Sequence, residues 1–438
     1  MLKQIFVFLS AAILLSSCGN YKEKNQEVLV AEPPVSSGFS AERLAMADTL
    51  INTYMQKGWL PGGVFLVARH GKIAYFKNFG YRSIKHEKKY QKDDIFRIAS
   101  MTKAITTVAI MQLYEQGKLG IDDPLSNYIP AYKNMGVLDH FNPKDSSFTT
   151  IPTQHPITIR NLLTHTSGIA YGDFAQGKLH AIYQKLGLLK VGASQKKWTT
   201  EEFVDTLASV PLAFQPGKKF LYGLNMDILG RVIEVVSHEP LNQYFKKHIF
   251  DPLGMTDTYF YLPKDKQNRL VPVYSQNENG VTMKEKDSFV ETVDFPKWED
   301  RGYYAGGAGL SSTAMDYARF VEMLVENGKY NGNRILGRKT IEMMTSDQLI
   351  VQNRNGNGRS QIPGDTFCLG FGLLTKQADG LNSKSPGTYE WGGYFSTKFF
   401  IDPKEDLIFV GMTQVLPFRH NEFYDRLTAI IYGAIVDK

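Results

Sequence analysis

Ser100 and Lys103 stand three residues apart in Ser100-Met101-Thr102-Lys103, so on a helix a hydroxyl and an amine share one face. An amine so placed could take the Ser100 Oγ proton, and a helix N-terminus would favour the negative charge that develops. Such a lysine must be neutral part of the time. The helix dipole supplies only about 0.3–1 kcal/mol at an exposed site, so burial among apolar neighbours has to provide most of that change. Spacing alone is weak, because Ser194 and Lys197 repeat it. That copy sits in the polar stretch Gln195-Lys196-Lys197-Trp198, which reads as solvated surface. Around Ser100, by contrast, Asp94 to Ala99 leads into Ile105, Val108, Ala109, Gln112 and Leu113 at near-helical spacing.

Competing chemistries fit less well. His165 lacks the Gly-x-Ser-x-Gly elbow of a Ser-His-Asp triad and reads as a structural hydrogen-bonder. Gly306, Gly307 and Gly309 suggest a phosphate loop, but no Lys-Ser/Thr follows them, so they read as a backbone turn. The nine histidines show no zinc spacing, and neither a metal nor a cofactor is expected.

The elements that must position Ser100 follow from patterning. Ser40 can cap a helix carrying Leu44, Ala47, Leu50, Ile51 and Tyr54 on one face. Val64 to Ala68 and Ile73 to Phe76 flank Arg69-His70-Gly71-Lys72, the pattern of a hairpin. A helical, loop-rich middle follows. Strands return at Phe395 to Ile401 and Leu407 to Thr413, before a helix bearing Phe423, Leu427, Ile430, Ile431 and Ala434. Strands at both ends with helices between predict an α/β domain built from 40–96 and 300–438, a helical insertion over 97–299, and a cleft between them. Lys264 to Trp298 and Ser346 to Asp365 read as long loops.

With 438 residues, 43% hydrophobic and 21% charged, the chain can bury a large core. Its formal charge of +6 is spread out, without the concentrated patch that nucleic-acid binding needs. Lys3, the apolar run Ile5 to Leu15, and Leu15-Ser16-Ser17-Cys18-Gly19 read as a secretory signal over 1–17 that ends in a lipobox. Cys18 is then the lipidated residue of a bacterial envelope protein, and 18–39, with its Pro/Ser/Gly-rich end, a tether to the membrane.

Taken together, several segments resemble the serine β-lactamase and penicillin-binding-protein superfamily. They are Ser100-Met101-Thr102-Lys103, Asn161 to Ile169, Pro216 to Tyr222 with Ile228-Leu229-Gly230, and Gly306 to Thr313. The resemblance implies a β-lactamase/transpeptidase-like fold, an antiparallel sheet flanked by terminal helices with an inserted helical domain. It also implies Ser100 as nucleophile, with Lys103 and Tyr222 beside it. Either Lys103 accepts the Ser100 proton, or it stays charged and stabilises a Tyr222 phenolate that does. The oxyanion would lie on the backbone N–H groups of Ser100 and Tyr394.

Two departures narrow the expectation. The family's Tyr-x-Asn is Tyr222-Gly223-Leu224 here, with Asn225 one position late, and its Lys-Thr-Gly is Trp391-Gly392-Gly393. The latter three are then the substrate-binding strand, with a neutral aromatic in place of a cation. Losing a charge-assisted hydrogen bond of roughly 1.5–3 kcal/mol weakens binding of an anionic substrate by about one to two orders of magnitude. The pattern is closest to the family VIII carboxylesterases, so the expected substrate is a small ester. A β-lactamase, DD-peptidase or D-amino-acid amidohydrolase of the same fold, acting on amides, is the alternative. A non-catalytic penicillin-binding-like module is the reading from another class. With Lys103 alone to stabilise a phenolate, activity is expected to rise toward alkaline pH.

Overall fold

The computed structural model describes residues 28–189, 198–285, 295–297, 299–349 and 363–437. Cys18 and the Ser194/Lys197 copy lie outside them, as does most of the second long loop.

A nine-stranded sheet joins the two ends of the chain. Across it run Val30–Ala31, Lys72–Ser83, Gly62–Arg69, Leu407–Met412, Lys398–Asp402, Tyr389–Gly392, Gly372–Leu374 and Asp365–Phe367, with Lys88–Lys89 paired to Lys72–Ser83. All these neighbours are antiparallel except Val30–Ala31, which runs parallel to Lys72 and Ile73. The hairpin Gly62–Arg69/Lys72–Ser83 forms as the alternating pattern predicts. Its first strand is buried on both faces, because period-two alternation sends Val64, Leu66 and Ala68 into the large core and Phe65 and Val67 into a second one. That second core is closed by the terminal helices. Leu44, Ala47, Ile51 and Tyr54 pack there from the N-terminal end, and Phe423, Leu427 and Ile431 from helix Glu422–Gly433. Ser40 caps as its type suggests, its side chain accepting from the Arg43 N–H.

Four sequence expectations need correction. The tether does not extend to residue 39: from Val28 the chain joins the fold through the Val30–Ala31 strand, and Phe39 is fully buried beside the C-terminal helix. Arg69, almost wholly buried, ties this segment down by donating to the Ser37 carbonyl and pairing with Asp437 and Glu405. The loop from Lys264 holds a short helix, Lys264–Arg269, and a hairpin of Tyr274–Gln276 with Thr282–Glu285. The strand anticipated from Phe395 begins at Lys398, because 393–397 turns back on itself, with Gly393 donating to the Thr397 carbonyl at 2.8 Å. Finally, helix Thr102–Glu115 is buried continuously from Thr102 to Leu113 rather than on one face. It runs through the large core instead of lying on it.

Candidate active site

Ser100 sits in a tight turn, Ala99–Met101, just before helix Thr102–Glu115. Ala99 adopts φ 42°, a left-handed conformation an L-residue rarely takes, and the fold holds it there. Ile98 donates to the Leu310 carbonyl at 3.0 Å, Met101 donates to Ile98, and Tyr317 Oη donates to the Met101 carbonyl at 2.9 Å. The turn is thus anchored on both sides, and Ser100 remains partly exposed.

The first helical turn is tied to the glycine loop. Thr106 Oγ1 donates to the Gly306 carbonyl at 2.6 Å, Lys103 Nζ donates to the Gly307 carbonyl at 2.6 Å, and Leu310 N–H donates to Thr102 Oγ1 at 3.1 Å. The glycines are required by close approach. A Cβ on Gly306 would lie 2.5 Å from the Met226 carbonyl oxygen, and one on Gly307 2.5 Å from Asp227 Oδ2. The loop is a backbone cradle beside the site, as its sequence suggests.

Lys103 is completely buried, and its Nζ also donates to Ser100 Oγ at 3.1 Å. Tyr222 Oη reaches the same Oγ at 2.7 Å. The ammonium lies 4.7 Å from the centre of the Tyr222 ring and 5.5 Å from that of Tyr171. Three residues spread over 122 positions therefore converge on one oxygen. Both groups donate to Ser100 Oγ, so either of them, Lys103 or Tyr222, can receive the Ser100 proton only after losing its own.

His165 sets the position of Tyr222. Its carbonyl accepts from Leu221 N–H at 2.8 Å, and its Nδ1 accepts from Gly223 N–H at 3.3 Å and Asn225 Nδ2 at 2.7 Å. Because a backbone N–H is necessarily a donor, the ring proton belongs on Nε2, which is buried without a hydrogen-bond partner among the described residues. Burial, and after it the charge of Lys103, hold this imidazole well below the usual range, so it stays neutral. It is a scaffold residue, as its sequence context indicates. Asn225 is turned into the same network, where its Oδ1 accepts from Ser167 Oγ at 2.5 Å, so its amide is spent inside the protein. Gly223 has to be glycine, since a Cβ would fall 1.9 Å from the Ile169 carbonyl oxygen.

The strand Tyr389–Gly392 brings up the other wall. Trp391 lies 5.5 Å from Tyr222 and 5.3 Å from Phe367, ring centre to ring centre, and so faces the site. Alternation turns Glu390 to the opposite face, where it pairs with Lys384 and Lys398. Gly392 follows Glu390 to that face, beside Lys398, so no side chain there could touch substrate. At Gly393 a Cβ would lie 2.4 Å from the Ile98 carbonyl oxygen, which makes glycine the residue that lets this strand close on the Ser100 turn. The N–H groups of Ser100 and Tyr394 donate to no protein acceptor among the described residues, which leaves both for an oxyanion.

Sequence reasoning missed four contributors. Tyr171 stacks on Tyr222 at 5.7 Å and continues to Phe174, which meets Tyr394 at 5.8 Å. Phe174 and Tyr394 are 55% and 47% exposed, so an aromatic path leads from the nucleophile to solvent. The Gly307 carbonyl was not recognised as a lysine acceptor. Asp227, five residues after Tyr222, is buried next to Lys103, and the one signal for it was an acid at the start of an apolar run.

Known proteins resemble the chain along most of its length. A profile of the family named Beta-lactamase matches residues 47–432. Protein Rv1367c of Mycobacterium tuberculosis is 33% identical over 366 residues, covering 82% of this chain and 87% of its own. Esterase EstB of Burkholderia gladioli is 27% identical over 380 residues, covering 85% and 90% respectively. Among solved structures, EstCE1, described as a hydrolase with promiscuous acyltransferase activity, aligns with a TM-score of 0.77 and 27% identity over 90% of this chain and 99% of its own. With a serine, a lysine and a tyrosine meeting on one oxygen inside that fold, the chain belongs to the β-lactamase family and is a serine hydrolase.

Proposed function

We propose that the protein is a carboxylesterase that hydrolyses small, uncharged esters through an acyl-enzyme on Ser100. The observation that carries this reading is the contact of Ser100 Oγ with Tyr222 Oη at 2.7 Å and Lys103 Nζ at 3.1 Å, beneath Trp391 rather than a cation. Ser100 attacks the ester carbonyl as its proton passes to Tyr222, with Lys103 holding the phenolate by charge. The oxyanion is received by the Ser100 and Tyr394 N–H groups, and the alcohol leaves with the proton that Tyr222 took. Water then repeats the sequence on the acyl-enzyme and releases the acid. The walls of Tyr171, Trp391, Phe174 and Tyr394 suit an apolar acyl or alcohol group, and the similarity to Esterase EstB supports the choice of ester over amide.

A panel of nitrophenyl acetate, nitrophenyl butyrate and nitrocefin tests it. Ester turnover that disappears in Ser100→Ala, with little or no nitrocefin turnover, is the expected result. Preferred nitrocefin cleavage would make the protein a lactamase, and no turnover or fluorophosphonate labelling would leave a binding module.

A further inference from the structure

Asp227 opens helix Asn225–Ser237 and is 1% exposed. Its Oδ1 receives one long hydrogen bond, from Tyr303 Oη at 3.5 Å, and its Oδ2 has no hydrogen-bond partner of good geometry among the described residues. The point where a Gly307 Cβ would sit is 2.5 Å from Asp227 Oδ2 and 3.5 Å from Lys103 Nζ. Carboxylate and ammonium therefore flank the same bare backbone without forming a direct ion pair, and of the two it is the ammonium that touches Ser100. Tyr303, Tyr171, Tyr132 and Lys103 are the titratable groups that sense this charge, and of these Lys103 alone is cationic. Burial holds all three tyrosines well above the usual phenol range, which keeps them neutral.

We propose that Asp227 is the counter-charge that fixes the pH at which the Lys103–Tyr222 pair releases its proton, a positioning residue acting through Lys103 and not on substrate. This rests on the reading of Ser100 as the nucleophile served by that pair. An ammonium with no exposed surface is costly unless an anion offsets it, and the structure supplies Asp227 across Gly307. Burial pushes Asp227 up to about 6, tempered first by the Lys103 charge and then by the Gly307 backbone N–H, so it is mostly ionised at neutral pH. A nearby anion makes proton release from the pair harder, whichever member carries the proton. Removing it makes release easier.

The test follows the rate of fluorophosphonate labelling of the full chain in detergent from about pH 6 to about pH 10. In Asp227→Asn the midpoint of the rising limb is expected to move down by about one unit, giving roughly tenfold faster labelling on the lower part of that limb. Asp227→Glu should restore the wild-type midpoint. Asp227→Ser, which leaves room for a water, carries the same expectation as Asn should the amide variant not fold. A rate scaled uniformly with the midpoint unmoved, a midpoint moved upward, or a flat wild-type profile would each overturn the proposal. Loss of labelling in Ser100→Ala is scored separately, and its persistence would overturn the nucleophile reading instead.

Discussion

At the scale of single residues, Ser100, Lys103 and Tyr222 were legible in the sequence because each lies in a short segment with recognisable neighbours. Asp227 and Tyr171 were not, because their role exists only once Gly307 and Tyr222 are brought to them across long stretches of chain. Their types alone, an acid in an apolar run and one tyrosine among 23, carry no signal for chemistry. On the proposed esterase reading, Trp391 is the residue on which substrate class turns. Its ring faces Tyr222 at the position where the family's Lys-Thr-Gly carries a cation, while Lys384 and Lys398 are held by Glu390 on the other face. Trp391→Lys should therefore raise kcat/KM for nitrocefin about 10- to 100-fold, the worth of one charge-assisted hydrogen bond, while ester turnover falls. An unchanged nitrocefin rate in a folded variant would remove Trp391 from the specificity argument.

At the scale of elements, the sequence disclosed what has a period and hid what does not. The hairpin Gly62–Arg69/Lys72–Ser83 and helix Glu422–Gly433 are long enough to show alternation or an apolar stripe. The strands Asp365–Phe367 and Gly372–Leu374, the last two at one side of the sheet, have three residues each, too few for alternation to register. Helix Ala314–Val325 shows how packing overrides polarity. It lies against the sheet with Glu322 fully buried near the His70–Gly71 turn, Oε1 having no partner among the described residues. Burial, reinforced by Asp406 and Glu326, pushes Glu322 up to about 8. A carboxyl raised in the fold stabilises it fully below the unfolded value of about 4.3, and that stability is lost as pH climbs through about 8. The loss is on the order of a few kcal/mol. Glu322→Gln, which has nothing to ionise, should hold its Tm between about pH 6 and about pH 9 better than the wild type does. Parallel melting curves for the two proteins would show that this carboxyl does not govern alkaline stability.

At the scale of the whole molecule, the sheet assembled from both ends and the helical insertion were readable from the order of the patterns. The point where the body begins was not. Composition marked 18–39 as a linker, yet Phe39 fills the core behind the sheet, and Arg69 reaches out of that core to hold Ser37. Proline and serine make a stretch look extended, and an extended stretch can equally be an edge strand. The proposed acylation of Cys18 is tested by replacing it with serine. The variant should move from the membrane to the soluble fraction, and retention of Cys18→Ser in membranes would count against the anchor.

Docking from Val28 onward shortens the proposed leash from Cys18. Ten residues of fully stretched chain span at most about 35 Å, less than the width of many folded domains. With Cys18 acylated as proposed, a hydrolase moored that closely would not sweep the compartment for cargo. It would work as a fixture of the bilayer surface, and its proposed ester substrates would have to arrive along the lipid or drift within a molecule's width of it.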